Sequence, residues 1–501
     1  MQEMAGMNVP GDRIRRLNER AVRGSSDYVL YWSTAYRRLE DNFALDRAVE
    51  LACSLGKPLL IFEALRCDYP WASRRLHRFV IDGMCENMRK AKQAGQAYVA
   101  WVEPGVGAGR GLIERLSERA AVIVSDDYPA FFLPRMLRAA ARHVSCAFEV
   151  VDSNGLLPDA AASQVFTTAH SFRRYLQKNL PSHLLEMPQG QPLLDKRLLP
   201  LPEIPAFLTG AWEPLSERTA SQPDELLSSL PIDQTVREVD IRGGAGAAKR
   251  QWQQFLATGL EHYGTDRNHP DTDASSGLSP WLHFGHVSVH RLFRELAERE
   301  SWGPERLGDP RQTRGGRSGW WGMEESTESF LDELITWREL GFNMCFRNRR
   351  YDRWESLPEW ARQTLAEHAS DPRPVIYDRE TLQHSRTHDD IWNAAQNQLV
   401  CTGRMHNYLR MLWGKKVLEW SATPQQALQT LIELNNRFAL DGRDPNSWSG
   451  IFWVFGRYDR AWGPERSIYG KIRYMTSDST RRKLKMSDYL KQWCERPADP
   501  G

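Results

Sequence analysis

Between residues 28 and 154, short solid runs of apolar residues alternate with stretches whose apolar positions recur every three or four residues. The runs are YVLYW (28–32), PLLIFEAL (58–65), AYVAWVE (97–103), AVIVSDDY (121–128) and CAFEVVD (146–152). The stretches at 41–56, 74–94 and 131–142 are amphipathic. Solid apolar runs alternating with helices predict a parallel sheet covered on both faces. Such sheets bind ligands beyond the carboxyl ends of their strands. No G-x-G-x-x-G follows the first run, which argues against an ordinary dinucleotide site there.

From 155 to 245 the pattern loosens, and LLPLPEIPAFLTGAWEPLSE reads as a long surface connector. GGAGAAK (243–249) lacks the spacing of a phosphate-binding Walker loop and reads as a helix entry. Helical periodicity dominates from 247 onward, interrupted at 308–326 by a segment with the Gly/Arg composition of a flexible loop. The expected organisation is an N-terminal extension (1–27), a Rossmann-like parallel α/β domain (28–154), a linker (155–245) and an all-α domain (246–496).

Composition sharpens this picture at two points. The chain holds 19 Trp, far above ordinary usage, which points to large cores or to stacking on flat ligands. Its 7 Cys show no C-x-x-C and no paired spacing, so reduced thiols are expected rather than a disulfide frame or zinc site. A net charge of +2 does not by itself argue for nucleic acid. No secretory h-region and no apolar stretch of membrane-spanning length is visible, so a cytoplasmic protein is expected, nucleoid-associated if bacterial.

Candidate chemistry collects in the helical part. SSGLSP (275–280) offers hydroxyls and backbone N–H groups at a helix start, which suits a phosphate or simply caps the helix. The helix at 326–348 puts Phe330, Leu334 and Trp337 on one face with Glu333 beside Trp337. A carboxylate there needs a partner, either an ion pair or a polar ligand on an aromatic wall. In MHNYLRMLWGKKVLEW (405–420), Leu409, Leu412, Trp413, Val417 and Trp420 form one stripe, while Asn407 and Arg410 lie on another. Trp392 sits on the preceding helix, and periodicity alone does not separate a redox chain from a packed core. In the loop ALDGRDPNSW, Asp441 is positioned to pair bidentately with Arg410. Calcium-loop spacing is absent, and no metal is expected. Residues 451–485 carry nine Lys/Arg against three acids, with Trp453, Tyr458, Trp462, Tyr469 and Tyr474 interleaved. Cations among flat rings suit a nucleic-acid surface.

In this order, SSGLSPWLHFGHVS, DELITWREL, THDDIWNAAQ, TGRMHNYLRMLWGKKVLEW, LDGRDPNSWSGIFW and DRAWGPERSIYGKIRYM resemble the DNA photolyase/cryptochrome family, and within it the class II cyclobutane pyrimidine dimer photolyases. The resemblance implies light-dependent repair of UV-damaged DNA, with reduced FAD passing an electron to a flipped-out dimer and receiving it back. It implies FAD contacts from Tyr263, Ser275, Ser276, Gly277, Leu278, Ser279, Asn407, Arg410, Asn435, Asp441, Gly442 and Arg443, with Asn435 facing flavin N5. Glu333, Trp337, Met411 and Trp453 match the lesion pocket, the two indoles as its walls and Glu333 on the pyrimidine edge. Trp392, Trp413 and Trp420 match the residues that bring electrons from the surface, and Arg460, Trp462, Lys471 and Arg473 match the DNA side. Family members often hold a second, antenna pigment (a deazaflavin, folate or flavin) in the α/β domain, and no motif here chooses among them. A monomer without an obligate protein partner is expected. Two other activities stay open at this point. One is light sensing without repair. The other is repair of (6-4) photoproducts, for which His406 would be the acid.

Overall fold

The computed structural model describes residues 9–494. The first eight residues of the expected extension, and residues 495 and 496 of the expected helical domain, lie outside that range.

Six strands form one sheet in the order β1-β6-β5-β2-β3-β4. Strands β2 (Tyr28–Ser33), β3 (Leu59–Leu65), β4 (Ala97–Val102), β5 (Ala120–Asp126) and β6 (Ala147–Val151) are mutually parallel. Every residue of β2, β5 and β6 is buried, which is why these segments read as solid apolar runs. Helices α1 (Phe43–Leu55), α2 (Arg74–Gln93), α3 (Leu112–Ser117) and α4 (Leu133–His143) connect them. Asn42 and Ser73 start α1 and α2 by accepting from Ala44 N and Leu76 N. The extension contributes an edge strand, β1 (Ile14–Arg16), antiparallel to β6 with Ile14 opposite Val151. Three residues with two arginines carry no apolar signal, so the sequence did not announce it. The chain reverses direction across the sheet between β2 and β5, so the crevice beyond their carboxyl ends is the switch point where such sheets take ligands.

The connector is more than a surface strap. It contains helix α5 (Ala169–Asn179), and Leu156, Leu157, Phe166, Phe172 and Leu176 are buried. Arg173 makes a two-pronged ion pair with Asp332 at 2.7 and 2.8 Å. The segment 308–326, expected to be flexible, is held in place. Trp320 and Trp321 are buried, and Glu328 accepts from the amides of Gly319, Gly322 and Met323. The glycines supply amides to a carboxylate rather than freedom to a loop.

Beyond 245 the structure is helical, and no described helix is long and apolar enough to cross a membrane. Arg75 of α2 reaches into this part. Its guanidinium donates to Val400 O and Phe438 O, both at 2.6 Å. These carbonyls close the helices Asp390–Thr402 and Pro424–Phe438, so one cation caps two helix ends that have no partners of their own.

Candidate functional site

The helix predicted at 326–348 runs continuously from 325 to 347, but Asp332–Trp337 is a π-helical turn. A π-turn rotates the residues on it relative to the flanking turns and recurs at functional sites. Glu333 and Trp337 both lie on it. Glu333 forms an ion pair with Arg267 at 2.8 Å, and its side chain keeps 31% of its surface open. Burial raises its carboxyl pKa, and the Arg267 charge opposes that rise. The carboxyl is thus set into the protein yet partly open to solvent. Arg267 also stacks over Tyr263, 5.3 Å from the ring centroid, and was not singled out in the sequence.

Trp337 and Trp453 stack on each other, centroids 4.7 Å apart and planes 20° apart. The two indoles thus form one continuous slab rather than two separate faces. Both rings are half-buried. Met411, also half-buried, lies on the helix Asn407–Trp420. That helix packs against Pro445–Val454, where Lys415 donates to Val454 O at 2.5 Å. Lys415 is fully buried, and burial pushes its ammonium down to about 7.

Asn407 is exposed at the start of its helix. Arg410 contacts Asp441 through Nη2 alone, 3.2 and 3.3 Å from the two carboxylate oxygens. The expected two-pronged fork is therefore absent, which leaves Nε and Nη1 of Arg410 unused by Asp441. Asn435 is buried and donates to Ser447 Oγ at 2.7 Å and Asn436 Oδ1 at 3.1 Å, so only its carbonyl oxygen is unspent. Gly442 packs against the end of the helix Pro424–Phe438, where a Cβ would stand 3.0 Å from Asn435 O. Arg443 donates its backbone N–H to Asn436 Oδ1 at 3.0 Å and its guanidinium to Asn436 O at 3.3 Å. It turns toward the α/β side, with Nη2 3.4 Å from His283 Nε2.

The 275–279 loop begins with Ser275 donating to Asp273, and only Leu278 of the five is buried. The helix Ser279–His283 that follows is a single short turn. Gly277 has φ +65°, and a Cβ there would meet Arg404 Nη2 at 2.9 Å. Gln251 donates to Ser276 O at 2.9 Å. Arg404 and Gln251 are the polar groups that the sequence reading missed beside this loop. Tyr263 is buried edge-on against Phe255 and Phe330.

Among the described residues, several buried polar atoms on these segments have no partner: Asn436 Nδ2, Trp453 Nε1 and both ring nitrogens of His406. Buried polar atoms are nearly always paired, so such a group fits a polar molecule that supplies the missing partners. A flavin, with carbonyls and ring nitrogens along one edge, fits that donor set.

The three tryptophans are brought together. Trp392 is central, 6.3 Å from Trp413 with planes 9° apart and 5.6 Å from Trp420. Its Nε1 donates to Trp413 O at 3.0 Å. Trp420 is only 1% exposed, so it does not reach the surface. Tyr377 and His388 lie beyond it at 5.4 and 5.3 Å, with Tyr377 OH 2.7 Å from His388 Nδ1. His388 is exposed.

On the basic segment, Arg460 and Arg473 both stack on Trp462, at 4.9 and 5.4 Å. Trp462 is 37% exposed. Not every cation faces outward. Arg457 is buried against Phe452, Lys471 pairs with Glu465 at 3.1 Å, and Arg481 pairs with Asp390 at 2.6 Å. Asp390 lies outside the segment, so its pair with Arg481 makes the local excess of charge smaller than the sequence count implies.

A cavity of about 510 Å³ opens beyond the carboxyl ends of β2 and β5. Trp32, Phe62, Trp101, Tyr128, Phe131 and Phe132 give it flat apolar sides. The helical part closes it with His283, Phe284 and Arg443.

Comparison with models of known protein families finds no match. Among curated proteins, the chain is 33% identical over 486 residues to a deoxyribodipyrimidine photo-lyase of Methanothermobacter thermautotrophicus, covering 96% of this chain and 98% of that one. It is 31% identical over 490 residues to the same-named protein of Potorous tridactylus, covering 95% and 83%. In fold it is similar to a class III photolyase of Agrobacterium tumefaciens, with TM-score 0.68, 17% identity and coverage of 94% and 86%. A cryptochrome of Synechocystis gives TM-score 0.65 at 18% identity, covering 94% and 90%. Alignment at this identity from one end of the archaeal relative to the other places this chain in the photolyase/cryptochrome family.

Proposed function

We propose that this chain is a class II enzyme that uses light and FAD to split cyclobutane pyrimidine dimers in UV-damaged DNA. The observation that carries the reading is its near-full-length identity to deoxyribodipyrimidine photo-lyases. The class assignment rests on the resemblance of the motifs quoted above, which include Trp392, Trp413 and Trp420, and on Asn435.

Reduced FAD, when bound, supplies on illumination the electron that opens the cyclobutane ring, and recovers it afterwards. The rest falls to the protein. Arg404 and the 275–279 loop would hold the phosphates. Arg410, held by Asp441, and the carbonyl of Asn435 would meet the ring. A dimer must leave the duplex to reach this recess, and its poor stacking lowers that cost. The Trp337–Trp453 slab gives it one flat surface. Glu333 would meet the pyrimidine edge with one carboxylate oxygen while its ion pair with Arg267 keeps the carboxyl in place. The exposed Arg460–Trp462–Arg473 stack would occupy the gap left in the duplex. Electrons that restore the reduced cofactor would enter at Tyr377, with His388 taking its phenolic proton. The α/β cavity would take a second chromophore, as in the Sulfolobus tokodaii photolyase described with two FAD molecules.

His406 does not suit the acid role required by (6-4) repair. Burial pushes its imidazolium down to about 4, so it is neutral at neutral pH. The test is restoration of thymine-dimer oligonucleotides by purified protein under blue light, with a dark control. Restoration in light alone is expected, and equal restoration in the dark, or none in light by flavin-loaded protein, overturns the reading.

A further inference from the structure

The reaction proposed above makes no use of the segment 308–326, whose Gly/Arg composition sets it apart in the sequence. Between 310 and 318 it carries Arg311, Arg314 and Arg317 and no acid, while Asp309, Glu324 and Glu325 stand towards its ends. The three arginines are exposed, and among the described residues none forms an ion pair. Asp309 spends its carboxylate on the backbone N–H of Arg311, at 2.8 Å, rather than on a guanidinium.

These cations ride on a fixed backbone. Trp320 and Trp321 bury one side of the segment, and helix α5 holds its tip. Buried Gln177 accepts from Thr313 Oγ1 at 2.9 Å and Gly315 N at 2.8 Å, and donates to Gly316 O at 3.1 Å. Gly315 has φ +82°, and a Cβ there would stand 2.4 Å from Arg174 Cγ, so a glycine is needed for the tip to close on the helix. Arg173 donates to Gly315 O at 3.2 Å with the same guanidinium that grips Asp332. Asp332 precedes Glu333 on the π-turn, so Arg173 ties the tip to the turn that carries the proposed lesion contact. Arg317 follows two residues after Gly315, and its charge favours the ionised form of Glu333. Among the described residues its guanidinium has no hydrogen-bond acceptor.

Arginine suits phosphate oxygens, and a cation already held on ordered backbone loses little freedom when it binds. We propose that the segment 308–326 is a phosphate clamp, in which Arg317, backed by Arg314 and Arg311, grips the backbone of the damaged strand beside the dimer that Glu333 receives. The proposal rests on the reading of the chain as a dimer-repair enzyme and adds where the strand is held.

The test uses FAD-loaded protein and a duplex with one thymine dimer, its Kd followed as salt is raised. Arg317→Gln is expected to weaken binding by about fivefold or more near physiological salt and to lower the slope of log Kd against log salt by about one. The triple variant Arg311→Gln/Arg314→Gln/Arg317→Gln should lower it by about two to three. Arg89→Gln, which removes an exposed arginine from α2, should leave the slope unchanged. Neutral methylphosphonates in place of the phosphates flanking the dimer should weaken wild type and leave Arg317→Gln nearly unaffected. An unchanged slope in Arg317→Gln, an equal change in Arg89→Gln, or the same loss for both proteins on neutralising those phosphates overturns the clamp alone. Equal binding of dimer-bearing and undamaged duplexes by wild type removes the dimer-repair reading, and the clamp with it.

Discussion

At the scale of single residues, the sequence flagged some side chains but not the partners that set their behaviour. Glu333 stood out as a carboxylate on an apolar face, yet Arg267, which pairs with it, was invisible in any local pattern. Arg443 was grouped with Asp441 through the resemblance of their loop, and in the structure Asp441 holds Arg410 while Arg443 reaches Asn436 and His283. Removing the Glu333 charge should therefore affect chemistry more than binding. Glu333→Ala is expected to lower light-driven repair by roughly tenfold or more while flavin stays bound. Repair yield against flavin absorbance measures this. Lys415 gives a prediction for stability. Its folded pKa of about 7 lies below the ordinary lysine value, so between those values the unfolded chain binds more protons. Stability should then rise with pH from about 7 towards the ordinary lysine value. Lys415→Met should flatten that rise, as read from urea midpoints across this range.

At the scale of elements, periodicity found the helices and missed their irregularity. The 325–347 helix was legible from its apolar spacing, but a regular period has no means of announcing the π-turn at Asp332–Trp337. The tryptophan stripe on Asn407–Trp420 was visible, and so was Trp392 on its neighbour. Their order was not, because it depends on how two helices cross. Trp392 lies between Trp413 and Trp420, so the proposed relay runs through it. Trp392→Phe should abolish photoreduction of oxidised flavin while chemically reduced protein still repairs. Tyr377→Phe should leave the inner relay intact and shorten the charge-separated state, because Trp420 is sealed from solvent. Transient absorption distinguishes the two variants.

At the scale of the whole molecule, the parallel sheet was readable because strands buried on both faces leave continuous apolar runs. The edge strand β1 and the buried part of the connector were not, since each depends on contacts distant in sequence. The docking of α2 on the helical part is of the same kind. Arg75→Met would leave two helix-end carbonyls buried without partners, at a cost of roughly 2–5 kcal/mol. A lower urea midpoint with an unchanged sheet signature in circular dichroism is the expected result.

Arg443 of the Asp441–Asp444 turn lines the α/β cavity, while Asp441 of the same turn holds Arg410, which belongs to the proposed flavin site. A single short turn thus ties the cavity to that site. Any pair of pigments lodged in them would keep a constant separation and orientation, so the yield with which one excites the other would be insensitive to thermal motion.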